Sequence, residues 1–93
     1  MEHVLIIHQV KDYAAWKLVF DRAADIRRAA GERGFLVLRD EHDPNRIVHF
    51  ATWSSLGQAR AFFESAELVR IRQEAGVEAP DFNYLTLLER GTL

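Results

Sequence analysis

The 93-residue chain has no cysteine, which excludes disulfide staples, thiolate nucleophiles and Cys-based zinc sites while leaving the cellular compartment open. Its five glycines are scattered, so no glycine-rich loop is available to cradle a phosphate, and nucleotide cofactors are not expected. Four histidines accompany many carboxylates, yet no His-x-His or Glu-x-x-His pair occurs, and no metal is expected either. An excess of one charge is also missing: twelve basic residues face fourteen acidic ones, for a formal charge of -2. The densest basic group, Arg22, Arg27, Arg28 and Arg33, is interrupted by Asp25 and Glu32, whereas a nucleic-acid footprint would be more one-sided. The longest apolar run, Val4 to Ile7, is far too short to span a bilayer. With no basic region ahead of a cleavable apolar core, a cytoplasmic location is the default expectation.

What is present is the composition of an ordinary globule, with 48% hydrophobic residues. Residues 1–93 read as a single domain, small enough that roughly 60 to 65% of the unfolded surface would be buried on folding alone. His3 to Val10 is β-branched and apolar over strand length. Asp12 then caps a helix whose apolar positions Tyr13, Trp16, Val19, Phe20, Ala23 and Ile26 recur at three- and four-residue steps, with Gly31 as its stop. Phe35 to Trp53 is a hairpin turned by Asp-Pro-Asn. Ser55 and Gln58 have capping-box spacing ahead of a second helical region, which Ser65 bends and Gly76 ends. Phe82 to Glu89 is the last strand.

The hairpin is apolar on both faces. Pairing Glu41 with Arg46 puts Leu36, Leu38, Ile47, His49, Ala51 and Trp53 on one face, and Phe35, Val37, Val48 and Phe50 on the other. A half-solvated antiparallel sheet alternates polar with apolar, so this one needs two covers, and the chain has helix for only one. The order β-α-β-β-α-β is the ferredoxin-like α+β pattern, a four-stranded antiparallel sheet with helices on one face. A second copy of the chain, packed on the open face, is the expected second cover.

The segment Trp53-Ser54-Ser55-Leu56 through Ala59, Phe62, Phe63, Ser65 and Leu68 resembles the region after the third strand in the antibiotic biosynthesis monooxygenase (ABM) family, within the dimeric α+β barrel group. The resemblance implies a homodimer of ferredoxin-like sheets packed face to face. It also implies one of several activities: cofactor-free oxygenation of phenolic polyketides, haem degradation, polyketide cyclisation, isomerisation, or none known. Fold cannot choose among these. The haem-degrading members' strand-one Asn, Trp and iron-ligating His correspond here to His8, Phe62 and Arg72, and a guanidinium offers no lone pair to iron. The plant cyclase's Tyr and His correspond to Ala61 and Glu67, leaving only His3 in common.

A cofactor-free oxygenase asks for less: an apolar pocket for a small hydrophobic or aromatic molecule, and a group that stabilises it as phenolate or enolate. His8 and His49 are the candidate bases, with Tyr84 supporting them. Arg39 and Arg72 are candidates to orient an oxyanion, and Trp16, Trp53, Phe62 and Phe63 to form the walls. No cofactor is expected. The alternative is a non-catalytic small-molecule-binding or stress-associated homodimer, in which the histidines only complete a hydrogen-bonded interior. A purely structural assembly unit is a third. Whether the two imidazoles and Tyr84 converge on one open cavity or point to opposite faces of the sheet discriminates the first two, and the lack of any cavity large enough for a ligand would favour the third.

Overall fold

The computed structural model describes residues 2–93. Strand β1 (Glu2–Val10) leads into helices α1 (Tyr13–Arg22) and α2 (Ala24–Ala30), then strands β2 (Glu32–Arg39) and β3 (Arg46–Trp53). Helices α3 (Leu56–Phe63) and α4 (Ala66–Glu74) follow, and β4 (Val77–Thr86) closes the order. The four strands form one antiparallel sheet in the order β2-β3-β1-β4. The expected caps are in place: Asp12, Ser55 and Ser65 accept from the amides of Ala15, Gln58 and Leu68, each satisfying an orphan donor of its helix. Gly31 sits at φ 129, and a Cβ there would lie 2.7 Å from Ser54 Oγ, so only glycine fits this stop.

Three expectations need correction. The first helix is not continuous; it breaks at Ala23, and the break leaves the last carbonyls of α1 open, one of which, on Phe20, accepts from the Arg27 side chain. The last strand begins at Val77 rather than Phe82, with Pro80 inside it. β4 is an edge strand, and Pro80 falls where its register shifts, between the Gln9–Glu78 and Ile7–Asp81 pairs, so no ladder hydrogen bond is lost.

The third correction concerns the hairpin register. Arg39 pairs with Ile47 and Leu38 with Val48, one residue away from the expected pairing. The turn sets this. The Asp40 carboxylate accepts from the amides of His42 and Asp43, and Asp43 accepts from that of Asn45, closing the connection before Glu41 can extend the ladder. A one-residue slip moves every β2 side chain to the other face. Phe35 and Val37 therefore join Ile47, His49, Ala51 and Trp53 on the helix side, Phe35 at its rim and still half exposed, while Leu36 and Leu38 join Val48 and Phe50 on the open face. The exchange leaves both faces apolar.

Two core clusters fill the covered side. One joins Val4, Ile6, Ala51 and Trp53 of the sheet to Ala59, Phe63 and Leu68; the other joins Val10 and Ile47 to Trp16, Phe20 and Ala75. The helices do not reach the other face, where Leu36 is 56% exposed and Leu38 49%.

Candidate functional site

The strand alternation that builds the core also builds a site. β1 sends Val4, Ile6, His8 and Val10 to the helix side, and β3 sends Ile47, His49, Ala51 and Trp53. Ile6 is paired with His49 and Ile47 with His8, so the two imidazoles stand diagonally on neighbouring strands and on the same face. Both line a cavity of about 70 Å³ where the two core clusters meet. One water needs only ~10–15 Å³, so there is room for a compact ligand. Trp16 and Phe20 of α1, Phe62 and Phe63 of α3, and Ile71 and Arg72 of α4 complete most of the wall.

The imidazoles differ sharply. His8 is 6% exposed, and neither of its ring nitrogens has a hydrogen-bond partner. Its nearest ring is Trp16, with centroids 5.2 Å apart. Desolvation first, then the charges of His49 and Arg72, push its pKa down to about 4. At neutral pH it is an uncharged imidazole with one donor and one acceptor, both facing no protein group. His49 is held instead: its Nε2 lies 3.0 Å from Glu32 Oε2. The other oxygen of Glu32 lies 2.9 Å from Arg27 Nε, an ion pair whose N–H is angled away from a hydrogen bond. Arg27 also donates to the Phe20 carbonyl, and its guanidinium lies 3.7 Å from the Phe20 ring centre. Burial lowers the Arg27 pKa, against the opposing pull of Glu32.

Arg72 reaches the cavity from α4 and donates to the Phe63 carbonyl at 2.8 Å, with its guanidinium 5.1 Å from the Phe82 ring centre. Burial lowers its pKa, partly offset by Tyr84. Among the described residues it belongs to no ion pair. Nor, among those residues, is any group of three His, Asp or Glu side chains arranged to hold a metal ion.

Of the side chains singled out in the sequence, His8, His49, Trp16, Phe62, Phe63 and Arg72 meet around this cavity. Trp53, Arg39 and Tyr84 lie elsewhere. Trp53 is fully buried under α3, its ring packed on Phe62 and Phe63. Arg39 ends β2 and stacks over Tyr13 at 4.6 Å. Tyr84 pairs with Val4, one step along the covered face from the Ile6–Phe82 pair, and lies against Arg60 at 4.2 Å; burial raises its phenol pKa. Arg27 and Glu32 were missed. Arg27 continues the stripe Trp16, Phe20, Ala23 at helical steps, a signal that it faces the core; Glu32 has no such signal.

Element order, sheet order and one-sided helices define a ferredoxin-like α+β protein. No family model and no curated protein matches the chain in sequence. Solved structures do match in fold, and they are antibiotic biosynthesis monooxygenase family proteins. SnoaB, a cofactor-independent oxygenase from Streptomyces nogalater, superposes with a TM-score of 0.78 at 16% identity, over 96% of this chain and 94% of its own. A provisionally assigned antibiotic biosynthesis monooxygenase from Nitrosomonas europaea gives 0.70 at 20% identity, over 96% and 100%. Another such protein, from Deinococcus radiodurans, gives 0.71 at 15% identity, over 100% and 98%. At these identities the likeness is one of fold. No helix among the described residues is long and apolar enough to cross a membrane.

Proposed function

We propose that this chain is the protomer of a homodimeric, cofactor-independent monooxygenase acting on a compact aromatic or polyketide-like molecule. The observation that carries the reading is His8: a buried imidazole with two unpartnered nitrogens, in a cavity walled mainly by aromatic and aliphatic side chains, with His49, Arg27 and Arg72 its other polar members. A buried polar group without a partner costs about 1–3 kcal/mol, and a substrate hydroxyl or carbonyl would satisfy it. The fold shared with SnoaB supports the reaction class.

In the proposed reaction, a phenolic or enolic hydroxyl gives up its proton in the cavity. The resulting anion, held by hydrogen bonds from His8 and Arg72, passes an electron to dioxygen. Overall a ring methylene becomes a carbonyl: the substrate loses two hydrogens and gains one oxygen atom, and the second oxygen leaves as water. Trp16, Phe62 and Phe63 hold the ring flat against the sheet and exclude bulk water. The second copy packs on the open face, where Leu36, Leu38, Val48 and Phe50 are gathered.

Oxygen uptake by metal-stripped protein with anthrones and hydroquinones tests the reaction, with His8→Phe as control. Uptake in the wild type that is lost in the variant is expected. Equal uptake in both removes His8 from the mechanism, and no uptake across the panel moves the assignment to a binding module of the same fold.

A further inference from the structure

We propose that Arg27 and Glu32 are positioning residues that fix His49 with its proton on Nε2, so that Nδ1 takes the proton released by a hydroxylated ligand in the cavity. The inference rests on the cavity being the site where that hydroxyl ionises, and adds two residues that neither sequence nor reaction class required.

Counting back from Phe35, strict alternation would place Glu32 on the open face. The register shift between Glu32 and Gly34 inserts one residue, so Glu32 becomes the partner of Trp53 and turns to the covered face beside His49. Bulges of this kind re-aim side chains near functional sites. The side chains of Arg27, Glu32 and His49 are 8%, 4% and 4% exposed. Burying such a group is expensive, and apolar residues of similar volume often serve stability as well or better. A core that needed only filling would not require it.

Arg27 has only donors and a fixed charge, so the Glu32 oxygen 2.9 Å from its Nε can only face it as an acceptor. An ionised carboxylate 3.0 Å from His49 Nε2 requires the N–H there, which leaves the lone pair on Nδ1. When Nδ1 accepts the ligand proton, the imidazolium formed is offset by Glu32, as a carboxylate orients and balances histidine in hydrolytic triads. His8, poor at holding a proton in its desolvated setting, remains the neutral hydrogen-bond partner.

Glu32→Gln makes this testable because the amide cannot satisfy both neighbours as the carboxylate does. Its oxygen must face Arg27, so its NH2 faces His49 Nε2 and donates, driving the ring proton to Nδ1. Two-bond 1H–15N NMR of ring-labelled histidine in the full chain, above the imidazole titration range, reads the tautomer directly. The expected result is Nε2–H in the wild type, Nδ1–H in Glu32→Gln, and Nε2–H again in Glu32→Asp. A wild type carrying Nδ1–H overturns the proposal by itself, even if Glu32→Gln does not fold, and so does an unchanged tautomer in a folded Glu32→Gln.

4-Nitrophenol, added below its own pKa, reports the proton transfer by colour. The wild type should bind it as the phenolate, and Glu32→Gln should show at least tenfold less ionisation. No ionisation by the wild type, or equal ionisation by both, overturns the proposal. Neither readout needs dioxygen, so a protein that passes both and consumes no oxygen contradicts the monooxygenase reading alone.

Discussion

The two faces of the sheet are both apolar, but they differ in what they bury. The covered face buries Val4, Ile6, Ile47, Ala51 and Trp53, and among them it also buries four polar side chains, His8, Arg27, Glu32 and His49. Among the described residues the open face buries no charge of this kind, and it leaves leucines half exposed. A buried polar group persists only where it is paired or has a use, whereas exposed apolar side chains in a patch mark a surface that meets another surface. The difference is what motivates the proposal that assigns ligand chemistry to the helix side and association to the other.

The largest effect that would break this contrast is on the covered face. Trp53→Ala should cost about 3–5 kcal/mol in chemical denaturation, because the indole is fully buried between sheet and α3. A loss below 1 kcal/mol would mean that the core is not where the helices place it.

Next comes pH. The His8 pKa is depressed from 6.5 to about 4, so between those values the unfolded chain binds the proton that the folded one refuses. The stability His8 permits is therefore complete above pH 6.5 and falls as pH drops towards 4, by about 3 kcal/mol in all. His8→Phe should flatten that slope while preserving the fold, and an unchanged slope would place the titration elsewhere.

On the open face, Phe50→Asp or Val48→Asp should raise the dimer dissociation constant at least tenfold, about 1.4 kcal/mol, by light scattering against dilution. An unchanged dimer would move the seam off this face. The smallest change sharpens the site's border: Arg39→Ala removes an exposed stacking contact with Tyr13 outside the cavity, and should alter stability and ligand affinity by no more than about 0.5 kcal/mol.

Much of this architecture was legible in the sequence because it is written in local patterns. Caps at Asp12, Ser55 and Ser65, the stop at Gly31, and the bend at Ser65 are each encoded within a few residues. Whether His8 and His49 share a face was open in the sequence, because alternation within β1 and β3 does not relate the two strands; the register that pairs Ile6 with His49 and Ile47 with His8 decides it. The hairpin register did not follow, because it is decided by which carboxylates of the Asp40–Asn45 turn capture backbone amides, and several closures fit the same residues. The ion pair behind His49 was hidden for a related reason. It depends on a break at Ala23 that no glycine or proline announces, and on a one-residue bulge at the start of β2. Tyr84, Arg39 and Trp53 had the right chemistry for a site; their distance from the cavity is a matter of how far along each strand they fall.

The histidines themselves report on both faces. His8 and His49 line the cavity, His3 stacks on Phe50 of the open face, and His42 lies exposed in the turn. Titrating imidazole-labelled protein with a hydroquinone and following the four ring signals by NMR tests the assignment of ligand chemistry to the helix side. The signals of His8 and His49 should shift together and saturate while those of His3 and His42 stay in place. Saturable movement of His3, with His8 unmoved, would put the ligand on the open face and contradict the account.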